Sequence, residues 1–223
     1  MTALPRTLVI AISVSVLSGL LAPAYAQKMK LDNVLVFTPS KEKPPAGSKG
    51  FVLQADRGGR KGQYLVVTTS RSTGSVPAGA SEYQLLSPDK VGAMPDVDVL
   101  GIHYIKVRPD RRDEFEQFVR NTLHPAVGSL RPDLRLLYYK ATSGPDAGSY
   151  ITIFALTKES RDKYWPGGSD SDELRAVMKP VRAHTKELLT YLVDGSALTD
   201  EKFAAAVYES REWADFVLVP DAR

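Results

Sequence analysis

The segment that most constrains the fold runs from Met94 to Arg108, MPDVDVLGIHYIKVR, because it is apolar on both faces of an extended strand. Its apolar residues occupy both parities: Val97, Val99, Ile105 and Val107 on one face, and Leu100, Ile102 and Tyr104 on the other. A strand with one solvated face would instead alternate apolar and polar residues. The pattern therefore predicts a strand between two layers, such as a layer of helices and a second sheet.

A helix and a hairpin are predicted after this strand. Pro109 and Asp110 open the helix, apolar residues continue it at helical spacing, and Pro125 is expected to end it. Two apolar runs at 134–141 and 149–157 then flank the turn-rich stretch TSGPDAG, which is typical of a β-hairpin.

The remaining chain completes the pattern with helices and a last strand. Apolar residues recur at helical spacing over 174–192, and Pro180 is expected to kink or divide this helix. A short helix over 199–210 precedes the strand WADFVLVP. The order β-α-β-β-α-β predicts an α+β protein with a ferredoxin-like, split βαβ fold.

A sequence repeat relates the hairpin to an earlier stretch. QADRGGRKGQYLVV aligns with KATSGPDAGSYITI at an offset of about 86, pairing Ala55 with Ala141, Gly58 with Gly144, Gly62 with Gly148 and Tyr64 with Tyr150. The upstream strand NVLVFTP matches only at an offset of about 70, as if the first copy had lost one helix. We interpret residues 27–93 as a degenerate N-terminal half-barrel without its first helix and last strand, and 94–223 as a complete unit. Two unrelated hairpins with glycine turns are the alternative.

Three phrases resemble the dimeric α+β barrel superfamily, including its antibiotic biosynthesis monooxygenase and NIPSNAP-like groups: HYIKVRPDRRDEFEQFV, LLYYKATSGPDAGSYITIFALTKES and YESREWADFVLVPDAR. The resemblance covers about residues 97–223 and implies two four-stranded sheets paired into a barrel, in a homodimer or a tandem fusion. Members include cofactor-free monooxygenases, haem-degrading enzymes and small-molecule sensors, so the fold leaves the function open. Because exposed sheet edges are unfavourable and the first half is incomplete, we expect a homodimer.

The first 26 residues have the pattern of a secretory signal peptide. Arg6 precedes an apolar run from Leu8 to Leu21, and Ala24 and Ala26 have the spacing of an A-x-A cleavage site. The run is too short and too early to be a spanning helix. The sequence predicts cleavage after Ala26 and a periplasmic or secreted protein without a stable membrane anchor.

Charge and cysteine content exclude several classes of protein. Lys and Arg number 29 against 26 Asp and Glu, and the two signs are interspersed, so no basic stripe for nucleic acid is present. The chain has no cysteine, which excludes disulfides, a thiol nucleophile and thiolate metal ligands. No histidine motif at ligand spacing occurs either, so we expect no metal site.

The three histidines are the first candidates for acid–base chemistry. His103 shares the parity of Val107, the face expected to meet the helices, and is either a pocket acid–base or ligand group or a core histidine with a backbone partner. Haem-handling relatives place an axial histidine on a late helix, so the resemblance makes His184 a candidate, against a partly exposed helix histidine. His124, at the expected helix end, is interpreted as structural.

Aromatic residues around the proposed sheet suggest a pocket for a planar apolar ligand. The expected lining is Tyr104, Tyr138, Tyr139, Phe154, Tyr164 and Trp165. Aromatic residues in strands are also ordinary core formers. Trp165, before Pro166, is interpreted as either a hinged lid or a packing anchor.

These patterns favour an exported, non-catalytic protein that binds a small apolar or aromatic ligand, or associates with itself, and needs no cofactor. The alternative is a cofactor-independent monooxygenase or a haem-processing enzyme that uses His103 or His184 with tyrosines. A third possibility is a structural role in the envelope through the segment KEKPPAGSKG, which also has the composition of a solvated loop.

Overall fold

Eight strands close into one barrel within a single chain. The computed structural model describes residues 28–69, 76–87, 96–128, 130–193 and 213–220. Its strands are β1 (Met29–Lys30), β2 (Val34–Ser40), β3 (Phe51–Gly58), β4 (Tyr64–Thr69), β5 (Ser81–Leu85), β6 (Asp96–Val97), β7 (Val99–Ile105), β8 (Arg135–Ser143), β9 (Tyr150–Leu156) and β10 (Trp213–Leu218). β1 and β6 pair with each other outside the barrel.

Short helices belong to the second half of the chain. They are α1 (Arg112–Phe118), α2 (His124–Gly128), α3 (Lys158–Tyr164), α4 (Asp172–Val177), α5 (Lys179–Arg182) and α6 (Thr185–Tyr191). A π-helical turn, Val119–Leu123, joins α1 to α2. Within the described residues of the first half no helix occurs, and the loop 41–50 stands where the second half has α1.

The order of the strands confirms the ferredoxin-like fold class. Around the barrel they run β10-β3-β4-β2-β5-β8-β9-β7, all antiparallel, and β7 closes on β10. The barrel strands of the first half are β2 to β5 and those of the second half are β7 to β10. If the four strands of each half are numbered 1 to 4 along the chain, both halves have the order 2-3-1-4 around the barrel. The fourth strand of each half pairs with the second strand of the other. The expectation that the first half lacks its last strand was wrong, because β5 occupies that place.

The predicted repeat corresponds to two hairpins of the same geometry. Gly58 and Gly144 both have a φ of +85°, and in each a Cβ atom would collide with the backbone of the neighbouring half, at Trp213 and Ala80 respectively. The N–H of Gly62 donates to the Ala55 carbonyl at 2.8 Å, and that of Gly148 donates to the Ala141 carbonyl at 2.9 Å. The two copies are therefore related by a pseudo-twofold axis.

The register of the strands corrects one part of the alignment. Ser40 pairs with Tyr64, and Ile105 pairs with Tyr150, so the first strands of the two halves match at an offset of 65 instead of about 70. At this offset Phe37 corresponds to Ile102. Because Ser81 pairs with Phe37 and Ala214 pairs with Ile102, β5 is the counterpart of β10.

Two apolar cores lie on the two faces of the barrel wall. The interior is filled by side chains, including the rings of Phe37, Tyr83, Tyr139 and Phe216, as small barrels require. The second core lies between the strands of the second half and its helices, and includes Phe115, Phe118, Tyr138, Tyr150, Phe154 and Trp165. β7 is apolar on both faces because one face packs in the barrel interior and the other packs under the helices. The sheet edges, whose expected exposure motivated the homodimer, are paired within the same chain, and the homodimer remains a prediction.

The tips of the two repeated hairpins extend side chains over one end of the barrel. Asp146 accepts hydrogen bonds through Oδ2 from the Tyr83 hydroxyl at 2.8 Å and from Ser81 Oγ at 2.9 Å. Burial and the Asp146 carboxylate both raise the pKa of Tyr83. Arg60, the counterpart of Asp146 in the first hairpin, lies 3.9 Å above the centre of the Tyr104 ring.

The helices differ from the prediction at two points. Pro125 does not end the first helix, because the π-helical turn before it starts a new helical segment, in whose first turn proline is tolerated. α3 was not predicted; Thr157 caps it by accepting from the Ser160 N–H at 3.1 Å. Pro180 divides the second helical pattern as predicted. The leader 1–26, the boundary near 93 and the short helix 199–210 lie outside the described residues.

Candidate functional site

Five rings form a continuous row on the outer, helix-facing side of the barrel. We call Tyr164, Trp165, Phe154, His103 and Trp213 the aromatic row. Successive ring centroids along it are 6.2, 5.1, 6.0 and 6.3 Å apart, and each pair meets edge to face. This arrangement is the one that aromatic pairs prefer.

The strand pattern places three of these rings together. β7 lies between β9 and β10, with His103 opposite Thr152 on one side and Trp213 on the other. Phe154 is two residues further along β9 than Thr152 and shares its parity, so it emerges beside His103 on the same face. Trp165 follows the last residue of α3 and packs over Phe154.

A buried carboxyl group lies under the row. Asp215 pairs with Gly101 across β10 and β7 and is 5% exposed. A Cβ atom on Gly101 would lie 3.1 Å from Asp215 Oδ1 and 3.4 Å from Phe154 Cβ, so the carboxyl group occupies space that a side chain would otherwise fill. Burial raises the pKa of Asp215 to about 6, although Arg161 attracts its charged form.

His103 presents a neutral imidazole beside this carboxyl group. The residue is half-buried. Burial lowers the pKa of His103 to about 4, so the ring is uncharged at neutral pH. A neutral imidazole offers one donor and one acceptor nitrogen.

An ion network fixes the rim of the site. Arg161, with a side chain only 8% exposed, donates to Asp56 at 2.7 Å and to Asp162 at 3.1 Å. Arg57 donates to Asp162 and to the carbonyl oxygen of Trp165, both at 3.2 Å. Asp56 and Arg57 belong to β3, so the network holds α3 and Trp165 against the first half of the chain.

The site is confined to one half of the pseudo-symmetric barrel. Each residue of the site has a counterpart in the first half at the equivalent position of the paired strands. None of these counterparts has an aromatic ring, and valine stands where the site has Gly101. These pairs are His103 with Thr38, Gly101 with Val36, Phe154 with Thr68, Trp213 with Ala80 and Asp215 with Glu82.

The six residues expected to line one pocket lie on two faces of the barrel wall. Tyr104 and Tyr139 belong to the interior, where the Tyr139 hydroxyl donates to the Asp32 carbonyl at 2.9 Å. Phe154, Tyr164 and Trp165 belong to the aromatic row. Tyr138 shares their face but packs on His124 with ring centroids 5.8 Å apart. The six residues therefore do not line a single pocket, and a ligand pocket at Phe154, Tyr164 and Trp165 stays a prediction.

His184 lies away from the aromatic row. It precedes α6, and its ring centroid is 6.4 Å from that of Phe118. Phe118 also packs against Tyr191, at 5.1 Å. The axial-ligand role that the resemblance implies for His184 stays a prediction. In the described ranges, no three His, Asp or Glu side chains are grouped to hold a metal ion.

Trp165 is packed in place, since the residue is 9% exposed and its carbonyl oxygen accepts a hydrogen bond from Arg57, and the choice between lid and packing anchor stays a prediction. Sequence reasoning missed Asp215, Gly101 and Trp213. One signal was available for Asp215: a lone acid stands between Ala214 and Phe216 in an otherwise apolar strand.

Comparison with known proteins gives limited information. No family model matches the chain, and a search of curated proteins found no match. One similar solved structure is that of an uncharacterized ferredoxin fold protein related to antibiotic biosynthesis monooxygenases, from Listeria monocytogenes 4b F2365. The two are 20% identical with a TM-score of 0.39, over 70% of this chain and 88% of the other. In the described part of the chain, no helix is long and apolar enough to cross a membrane.

Proposed function

We propose that the protein binds a small planar, apolar ligand at the aromatic row, with Asp215 as the polar group that orients it. The observation that carries the proposal is the row itself: successive rings 5.1 to 6.3 Å apart lie on the same face of the barrel wall as a buried carboxyl group, which is held where a side chain is absent from Gly101. Small-molecule sites typically combine such apolar walls with a few placed polar groups.

The pseudo-symmetry supports this assignment. Closing the barrel does not require the row, because both halves have the same strand order. Packing under the helices accounts for Phe154, Tyr164 and Trp165, which belong to that core, and leaves His103 and Trp213 as rings outside it. The first half has Thr38 and Thr68 in place of His103 and Phe154. The second half therefore has a specialised surface that barrel closure does not require.

Tryptophan fluorescence provides a direct test, because both tryptophans of the chain, Trp165 and Trp213, belong to the row. Titration with 2-naphthol as a planar probe is expected to change the emission saturably. Phe154→Leu removes part of the wall and should weaken binding about tenfold, which corresponds to about 1.4 kcal/mol. His184→Ala is the control and should bind as the wild type does. Equal affinity in the Phe154→Leu variant would contradict the proposal.

A second candidate function is proton abstraction, as in a cofactor-independent monooxygenase. The specific observation is that Asp215 has a pKa raised to about 6, so it is a carboxylate at neutral pH and a stronger base than an ordinary aspartate, while His103 on the same face of the wall is neutral. Oxygen uptake in the presence of 2-naphthol is the measurement. Uptake that rises as the pH passes about 6 and disappears in Asp215→Asn would support an enzyme, and its absence would leave the binding role.

A further inference from the structure

A groove lies on the outer surface where the two halves of the barrel meet. It has a volume of about 480 Å³, which is within the usual range for ligand sites. Its lining comes from β5 and the residue after it, from α1 with the π-helical turn, and from β8: Gln84, Leu85, Leu86, Glu116, Arg120, Lys140 and Thr142. The aromatic row lies on other strands, so the groove is a separate site.

Charged groups converge on one side of this groove. Glu116 Oε1 accepts hydrogen bonds from Lys140 Nζ at 2.6 Å and from the Tyr150 hydroxyl at 2.8 Å. Burial alone would raise the pKa of Glu116, but the bonds from Lys140 and Tyr150 outweigh it and hold the pKa below its ordinary value. Glu116 therefore stays ionised, and with Arg120 and Lys140 the lining has two positive charges and one negative charge.

Arg120 is placed by an unusual piece of backbone. It is the second residue of the π-helical turn Val119–Leu123. π-Helical turns are rare and occur frequently at functional sites. The Arg120 guanidinium is 3.7 Å from Glu116 Oε2, an ion-pair distance beyond normal hydrogen-bond length. A guanidinium has five N–H donors in a planar fork, so it can bind more than one acceptor at a time.

The floor of the groove is apolar but small. Leu86 contributes its side chain to it and is 5% exposed, whereas the side chain of Leu85 points into the barrel interior. Gln84 and Thr142 add polar groups at the rim. A ligand in this groove would therefore place a compact apolar part on Leu86 and a polar end beside the two cations.

We propose that this groove binds a small organic anion, whose carboxylate is held by Arg120 and Lys140 and whose short apolar body rests on Leu86. The net positive lining selects an anion over a neutral or cationic molecule of the same shape. Glu116 keeps Lys140 oriented toward the groove, so its role is to position the cation.

Hexanoate and its uncharged analogue hexanamide are suitable probes, because they differ only in the charge of the head group. Two-dimensional NMR of the full chain should show hexanoate shifting the amide signals of Leu86, Lys140 and Thr142 saturably, with at least about tenfold weaker binding of hexanamide. Equal binding of the two probes, or hexanoate shifts confined to other parts of the chain, would overturn the proposal.

Matched variants locate the charge. Arg120→Gln and Lys140→Gln should each weaken hexanoate about tenfold and leave hexanamide unchanged. Lys158→Gln, an exposed cation at the start of α3, removes the same charge elsewhere and should bind hexanoate as the wild type does. If Lys158→Gln weakened hexanoate as much as Arg120→Gln, the attraction would be general and the groove would not be the site. Because Arg120 is half exposed, its variant tests the proposal even if Lys140→Gln disturbs the fold.

Discussion

The carboxyl group of Asp215 lies over the backbone of Gly101, its partner in the neighbouring strand. A glycine inside a strand often marks a position where another group approaches closely. Here the approaching group is a carboxyl buried beneath the aromatic row, and the absent side chain is what makes room for it.

Gly101→Ala is expected to lower the free energy of unfolding by about 1 kcal/mol, because the new methyl group would lie 3.1 Å from Asp215 Oδ1 and 3.4 Å from Phe154 Cβ. Urea denaturation measures the effect. Gly128→Ala is the control, since a Cβ atom there meets nothing within 4 Å and should leave stability unchanged or higher. A Gly101→Ala protein as stable as the Gly128→Ala protein would show that Asp215 moves aside freely.

Asp215→Asn should change how stability depends on pH. Because the folded-state pKa of about 6 lies above the ordinary value of 3.8, the folded state binds this proton more tightly than the unfolded state does. The resulting stabilisation is fully present below about pH 4 and is lost as the pH rises through about 6. Relative to the wild type, Asp215→Asn should therefore gain on the order of 2 kcal/mol between pH 4 and pH 7.

Urea denaturation of both proteins at the two pH values checks this prediction. Other carboxyl groups titrate equally in the two proteins and cancel in the comparison. A constant difference between the wild type and Asp215→Asn at pH 4 and pH 7 would mean that Asp215 is not perturbed by burial.

Asp146→Ala should destabilise the barrel by about 1 to 3 kcal/mol, because it removes the acceptor of both Tyr83 and Ser81. The two donors are 1% and 2% exposed, so water replaces the lost acceptor poorly. Arg60→Ala alters the pseudo-symmetric position, where the side chain is half-buried and lies over the Tyr104 ring, and should lower stability by less than about 1 kcal/mol. Thermal unfolding of the two variants gives the comparison, and equal losses would argue against a specific role for Asp146.

Export gives a prediction that depends on sequence alone. The apolar run from Leu8 to Leu21 and the small residues Ala24 and Ala26 predict that the exported protein begins at Gln27. Intact mass measurement of protein from the culture medium or periplasm tests the cleavage site. Protein that keeps its first 26 residues would refute the secretory interpretation.

Much of the second half could be predicted from local pattern. The two apolar faces of β7, the glycine turn between β8 and β9, and the break at Pro180 are all signals carried by neighbouring residues. β5 was missed because it is five residues long and places polar Glu82 and Gln84 on its outer face. Such a short, half-polar segment is hard to distinguish from a loop until its partners are known.

The candidate site was harder to predict because it depends on register. Gly101 and Asp215 are distant in the chain, and only the pairing of β7 with β10 brings them together. The expected pocket combined Tyr138 with Tyr139, although adjacent residues of a strand point to opposite faces. The alternation of side chains along the strand was enough to place Tyr138 and Tyr139 on opposite faces. The contact of Trp213 with His103, in contrast, could be recognised only from the structure.

Joining both halves of the barrel in one chain frees them to diverge. In a barrel of two identical subunits, a mutation that opens space for a buried acid is inherited by both sheets at once, and its destabilising effect is doubled. Here Gly101 and Asp215 occur in one sheet, while Val36 and Glu82 hold the corresponding positions in the other. One half can serve as a stable support while the other accumulates the less stable features that recognition or chemistry needs.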